Sequence, residues 1–150
     1  FSRWFPYGSI RNELSPLYYA SVHRSLNGEW DFDPQLKPQE GVPLYIAWLR
    51  AIRRGQRRLH RGLQLTIPVL VMHSDRSTYA RQWCDEFTSS DAVLSVEDIS
   101  RYAWCLGDQV TDVTIEGGLH DLILSREEVR EKVFDVLLAW MSEQIVVANK

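Results

Sequence analysis

Apolar positions fall into two regimes along the chain. Over residues 1–42 they keep no period, and Pro6, Gly8, Pro16, Gly28, Pro34, Pro38 and Gly41 break them up. Only Pro16–Leu26 can form a short helix there, and Gly28–Pro34 reads as a loop carrying two exposed aromatics, Trp30 and Phe32. From Pro43 the pattern turns helical. Tyr45, Trp48, Leu49, Ile52 and Leu59 share one face, with Pro43 near the first turn and Gly62 just past the end. That face is expected to meet the core, while Arg50, Arg53, Arg54, Arg57, Arg58 and Arg61 fill most of the remaining circumference.

Ile67-Pro-Val-Leu-Val-Met-His73 is a continuous, β-branched apolar run, which predicts a strand buried on both faces with Pro68 at its start. A polar stretch follows, with a helical turn around Tyr79–Phe87. Ser95-Val-Glu-Asp98 predicts an N-cap for a helix whose face is Val96, Ile99, Ala103 and Leu106 and whose end is Gly107. Val110–Ile115 predicts a second strand. Ser125-Arg-Glu-Glu128 is a capping box, and Val129, Val133, Val136, Leu137, Trp140 and Met141 form a core-facing stripe behind it. Strand, helix, strand, helix over residues 67–146 is a right-handed βαβ unit with parallel strands.

Two parallel strands need further neighbours and both faces covered. Only Val110–Ile115 offers a partner for Val69–Met72, unless residues 1–40 hold a strand that the pattern conceals. The expectation is that the sheet continues in residues outside this sequence, which opens at Phe1 without an initiator Met.

Composition leaves a globular domain standing. With 45% hydrophobic and 25% charged residues, the chain is no disordered tail, collagen-like fibre or disulfide scaffold. The longest apolar runs, Ile67–Met72 and Val133–Met141, are too short or too interrupted to span a bilayer, and no signal-peptide pattern opens the chain. Cys84 and Cys105 match neither a metal nor a redox spacing, so they read as buried thiols in a reducing, cytoplasmic setting, and no cofactor or metal is implied. Charge is divided unevenly. Residues 1–68 carry ten Lys/Arg and five Asp/Glu, and residues 69–150 carry seven and fifteen. The arginine-rich helix is therefore expected to be a solvated face that pairs with the acidic half. Net charge of −3, only three lysines, and no stacking aromatics beside the arginines argue against a nucleic-acid partner. Stable membrane insertion is not expected; self-association through an unpaired strand edge is.

Functional residues of an open α/β sheet gather at the carboxyl ends of its strands. Asp75 and Asp91 follow the first strand, and His120, flanked by Gly117, Gly118 and Asp121, follows the second. An acid after one strand and a histidine after the next is the second half of a nucleophile–His–acid relay. His73-Ser74-Asp75 spells the same letters, but neighbours on a strand point to opposite faces and cannot form that relay together.

These stretches carry a family resemblance. Ile67-Pro-Val-Leu-Val-Met-His-Ser74, Ser90-Asp-Ala-Val-Leu94, Val113-Thr-Ile-Glu-Gly-Gly-Leu-His-Asp-Leu122 and the closing Leu138-Ala-Trp-Met141 resemble the C-terminal part of α/β-hydrolases of the monoacylglycerol lipase, lysophospholipase and serine aminopeptidase-like group. Leu26-Asn-Gly-Glu-Trp-Asp-Phe-Asp33 and Trp48-Leu-Arg-Ala-Ile-Arg-Arg-Gly55 look like that group's cap insertion. The resemblance implies a partial α/β-hydrolase fold: a helical cap or lid over residues 1–64, then the last two parallel strands and flanking helices over 65–150. It also implies cleavage of an ester (lipid or small-molecule) or amide bond, with a small-molecule ester, lipid or peptide as substrate. His120 would be the triad histidine, Asp91 its acid with Asp75 the alternative, and Trp30 and Phe32 would line an acyl-binding entrance. The nucleophile elbow G-x-S-x-G is absent, since Gly8-Ser9 lacks both the second glycine and a preceding strand. The nucleophile and oxyanion hole are thus missing from this chain, which alone is expected to hydrolyse no ester. The alternative is a non-catalytic interaction module that uses the arginine-rich helix or an exposed strand edge.

Overall fold

A computed structural model describes residues 5–10 and 15–148. The elements run β1 (Ser9–Ile10), α1 (Ser15–Val22), β2 (Leu44–Tyr45), α2 (Ile46–Leu59), β3 (Val69–Ser74), α3 (Val96–Ala103), β4 (Val110–Ile115) and α4 (Glu127–Ala148). Single 3₁₀ turns lie at Asp85–Thr88 and Leu122–Leu124. The architecture is a small mixed α/β one. β1 and β2 form an antiparallel ribbon, and β3 and β4 pair in parallel from Val69 opposite Val110 to Ser74 opposite Ile115.

Local chemistry accounts for the βαβ unit. The Ser95 hydroxyl accepts from the Asp98 N–H and caps α3, with Glu97 and Asp98 in its first turn. The chain re-enters β4 past Gly107, whose backbone meets Leu65 in a parallel bridge. A Cβ at Gly107 would lie 2.3 Å from the Leu65 carbonyl oxygen, so only glycine permits that approach. Ile115, Val129 and Val133 form one core cluster between β4 and α4. Tyr18, Val22 and Leu119 form another, which seats α1 on the loop after β4.

Several expectations need correction. β3 is only half-buried over Val69–Met72, because β4 is its one neighbour among the described residues. α2 has no buried residue: Trp48 and Ile52 are exposed on its apolar face, which fronts open grooves rather than a filled core. None of its arginines, nor Arg61, forms an ion pair among the described residues; the Arg57 side chain donates instead to the Arg53 carbonyl. Met141, placed on the core-facing stripe by its spacing, is exposed, as is Trp104 at the end of α3. Cys84 and Cys105 are free but only half-buried. The Ser125 hydroxyl accepts from the Leu119 N–H, and the start of α4 is met by Glu29, whose carboxylate takes the Glu127 N–H. Among the described residues no helix is long and apolar enough to cross a membrane.

Candidate active site

Asp91 lies far along the chain from β3, yet it returns to the end of that strand. Its N–H donates to the Arg76 carbonyl and its carbonyl accepts from the Thr78 N–H, a parallel bridge to the segment leaving β3. Residues 79–90 are an excursion closed by the 3₁₀ turn that buries Phe87. Asp91 Oδ1 then accepts from the Val93 and Leu94 N–H groups at 2.7 and 2.8 Å. This leaves Oδ2 aimed outward.

His120 meets it there. Gly117 turns the chain out of β4 at a φ of 73°, where a side chain would be strained, and its N–H donates to Asp75 Oδ1 at 2.8 Å. Leu119 is buried, with its N–H tied to the Ser125 hydroxyl, which anchors the loop immediately before His120. His120 Nδ1 lies 2.9 Å from Asp91 Oδ2, and the carboxylate side chain is 2% exposed against 29% for the imidazole. The two expected acids therefore have different occupations. Asp91 holds His120, whereas Asp75 ties the ends of β3 and β4 together and contacts Arg76.

The pair perturbs both titrations. The hydrogen bond to Asp91 raises the imidazole above its ordinary value of 6.5, against the opposing effect of burial. Burial acts to raise the Asp91 carboxyl, but the His120 contact and the two backbone N–H bonds outweigh it and hold the group below its ordinary 3.8. With Nδ1 donating to a carboxylate, Nε2 is the basic nitrogen. It makes no hydrogen bond among the described residues.

His120 borders two open grooves. One, of about 620 Å³, runs along Met72, Leu122, Val133 and Phe134 on the β3–α4 side. The other, of about 550 Å³, is lined by Leu36, Val42 and Trp48 together with His120 and Asp121. Trp30 and Phe32 line neither. Trp30 donates its indole N–H to the Leu124 carbonyl beneath the Arg130 guanidinium, and Phe32 packs edge-on against Tyr19 and His23.

One contributor has no sequence signal. The Tyr18 hydroxyl donates to Asp121 Oδ2 at 2.7 Å and accepts from the Asp121 N–H, latching α1 to the residue beside His120. Burial and the Asp121 carboxylate hold the phenol far above its ordinary range, so it stays a donor. A tyrosine on a short helix announces no partner so distant in the chain. A second buried His–Asp contact joins His73 Nε2 to Asp112 Oδ1 at 3.2 Å, inside the βαβ unit. Among the described residues no cluster of three His, Cys, Asp or Glu could hold a metal.

Comparison of the chain with protein-family models, curated proteins and solved structures finds no match.

Proposed function

We propose that His120 and Asp91 are the base and orienting acid of a serine hydrolase that cleaves an ester or amide bond, with nucleophile and oxyanion hole supplied from outside these 150 residues. One observation supports this above others. His120 Nδ1 is fixed on a buried, doubly clamped carboxylate while Nε2 stands free beside two grooves. Asp91 sets the tautomer and stabilises the imidazolium. Nε2 takes the serine proton as the serine oxygen bonds to the carbonyl carbon. It returns that proton to the departing alcohol or amine as the acyl bond breaks, and water then repeats the cycle to release the acid.

The test is fluorophosphonate labelling of the native gene product. A labelled serine is expected, with His120→Ala slowing labelling by at least about a hundredfold. Absence of any labelled serine removes the reading. These 150 residues by themselves are expected to leave p-nitrophenyl esters intact.

A second reading, an interaction module, is favoured by the α2 arginines, which lack ion-pair partners among the described residues. It predicts salt-sensitive binding of a polyanion that survives His120→Ala and is lost when Arg50, Arg54 and Arg57 become glutamine.

A further inference from the structure

The groove of about 550 Å³ that His120 lines has an uneven distribution of charge. Leu36, Val42 and Trp48 expose apolar surface along it, which is unusual to leave uncovered without use. Asp121 lines it beside His120, with one carboxylate oxygen held by the Tyr18 hydroxyl. Lys37 lines the same groove. Its ammonium lies 5.1 Å from the Tyr18 ring centroid and 5.6 Å from that of Phe32, and no carboxylate pairs with it among the described residues.

Two aromatic faces hold this cation in place without neutralising it. It is therefore positioned to receive an anion. Tyr18 also meets the His120 ring, at 6.4 Å between centroids, so ammonium and imidazole are no farther apart than those two distances laid end to end. A short alkyl chain covers that span.

We infer that this groove binds an apolar chain ending in a carboxylate, with the carboxylate on Lys37 and the neutral end beside His120. The reverse orientation places the anion against Asp121. A phosphate monoester fits less well, because it carries more than one negative charge near neutral pH and the groove offers one cation beside a carboxylate. The inference rests on the hydrolase reading for its substrate class: an ester or amide whose acyl part ends in a carboxylate. Trp30 and Phe32 act one layer below, with Phe32 as part of the Lys37 support.

Binding by the 150-residue chain can be measured without turnover. Calorimetric titration with octanoate, octanol and octylammonium compares one tail under three heads. Octanoate is expected to bind about fivefold tighter than octanol in low salt, the advantage shrinking at high salt. Lys37→Gln removes that preference while octanol affinity stays unchanged, which also shows that the variant is folded. Lys37→Glu shifts the preference to octylammonium, and Trp48→Ala weakens all three ligands. Equal binding of octanoate and octanol, a preference that survives Lys37→Gln, or tighter binding of octyl phosphate than octanoate overturns the assignment. Failure of fluorophosphonate labelling removes the hydrolase reading and leaves this comparison intact. Absence of the octanoate preference in the unsubstituted chain does the opposite.

Discussion

Asp91 divides its two oxygens between structure and chemistry. Oδ1 satisfies two backbone N–H groups, and Oδ2 holds His120. Asp91→Ala leaves all three donors without their acceptor, and with the carboxylate only 2% exposed the expected cost is about 3 kcal/mol of stability in urea unfolding. The pH dependence follows from the directions of the two shifts. His120 is raised in the fold, so its contribution is complete below its ordinary 6.5 and lost as pH rises through the higher folded value. Asp91 is lowered, so its contribution is complete above its ordinary 3.8 and lost as pH falls through the lower folded value. The pair therefore stabilises fully between those two pH values and fades on either side. Asp91→Asn is expected to flatten both flanks of a stability–pH curve; unchanged flanks would assign them to other groups. His120, Asp91 and Asp75 were legible as residue types at the ends of predicted strands. The family resemblance favoured Asp91 over Asp75, but residue types and strand ends alone left both open, because the difference depends on the Asp91 bridge to Arg76 and Thr78. His73 shows the converse. Its Nδ1 faces the Ser74 carbonyl, and its Nε2 contacts Asp112 without the alignment of a hydrogen bond, so this buried pair belongs to the βαβ unit rather than to a groove.

At the level of elements, local signals read well wherever they are satisfied locally. The Ser95 cap and the bounds of β4 depend on residues within a few positions of one another. The Leu65–Gly107 bridge depends on close backbone approach instead. Gly107→Ala forces a Cβ against the Leu65 carbonyl, and the displacement needed is expected to cost about 1–3 kcal/mol, read as a lowered urea midpoint. The α1 latch gives a different signature. Tyr18→Phe removes one hydroxyl shared with a partly exposed Asp121, so about 1 kcal/mol is expected. Its local effect is faster amide exchange over residues 119–124, because Leu119 still packs on Val22 but the loop beside it loses its tether. Equal acceleration across α3 and β4 would mean that Tyr18 supports the whole fold instead. α2 illustrates the limit of periodicity. Its apolar stripe was legible, but what faces that stripe was not, and the structure places open grooves there.

Over the whole molecule, β3 and β4 leave sheet edges unpaired among the described residues. The side of α4 that carries Phe134, Leu138 and Met141 is exposed. Produced as these 150 residues, the protein is expected to self-associate with rising concentration in sedimentation velocity, and Leu70→Lys on β3 is expected to weaken that association. A concentration-independent monomer would show that the edge is already protected. The amino-acid sequence determined the order of strands and helices from 67 onward and the residue types available at their ends, because periodicity, caps and turn glycines act over a few positions. Tertiary structure alone decided which acid holds His120, where α1 is latched and which cation looks into the groove. Asp91 and His120, Tyr18 and Asp121, and Lys37 and Tyr18 are each far apart along the chain; β3–β4 pairing and the Asp91 bridge bring the first pair within reach, and packing of the loops against α1 brings the other two.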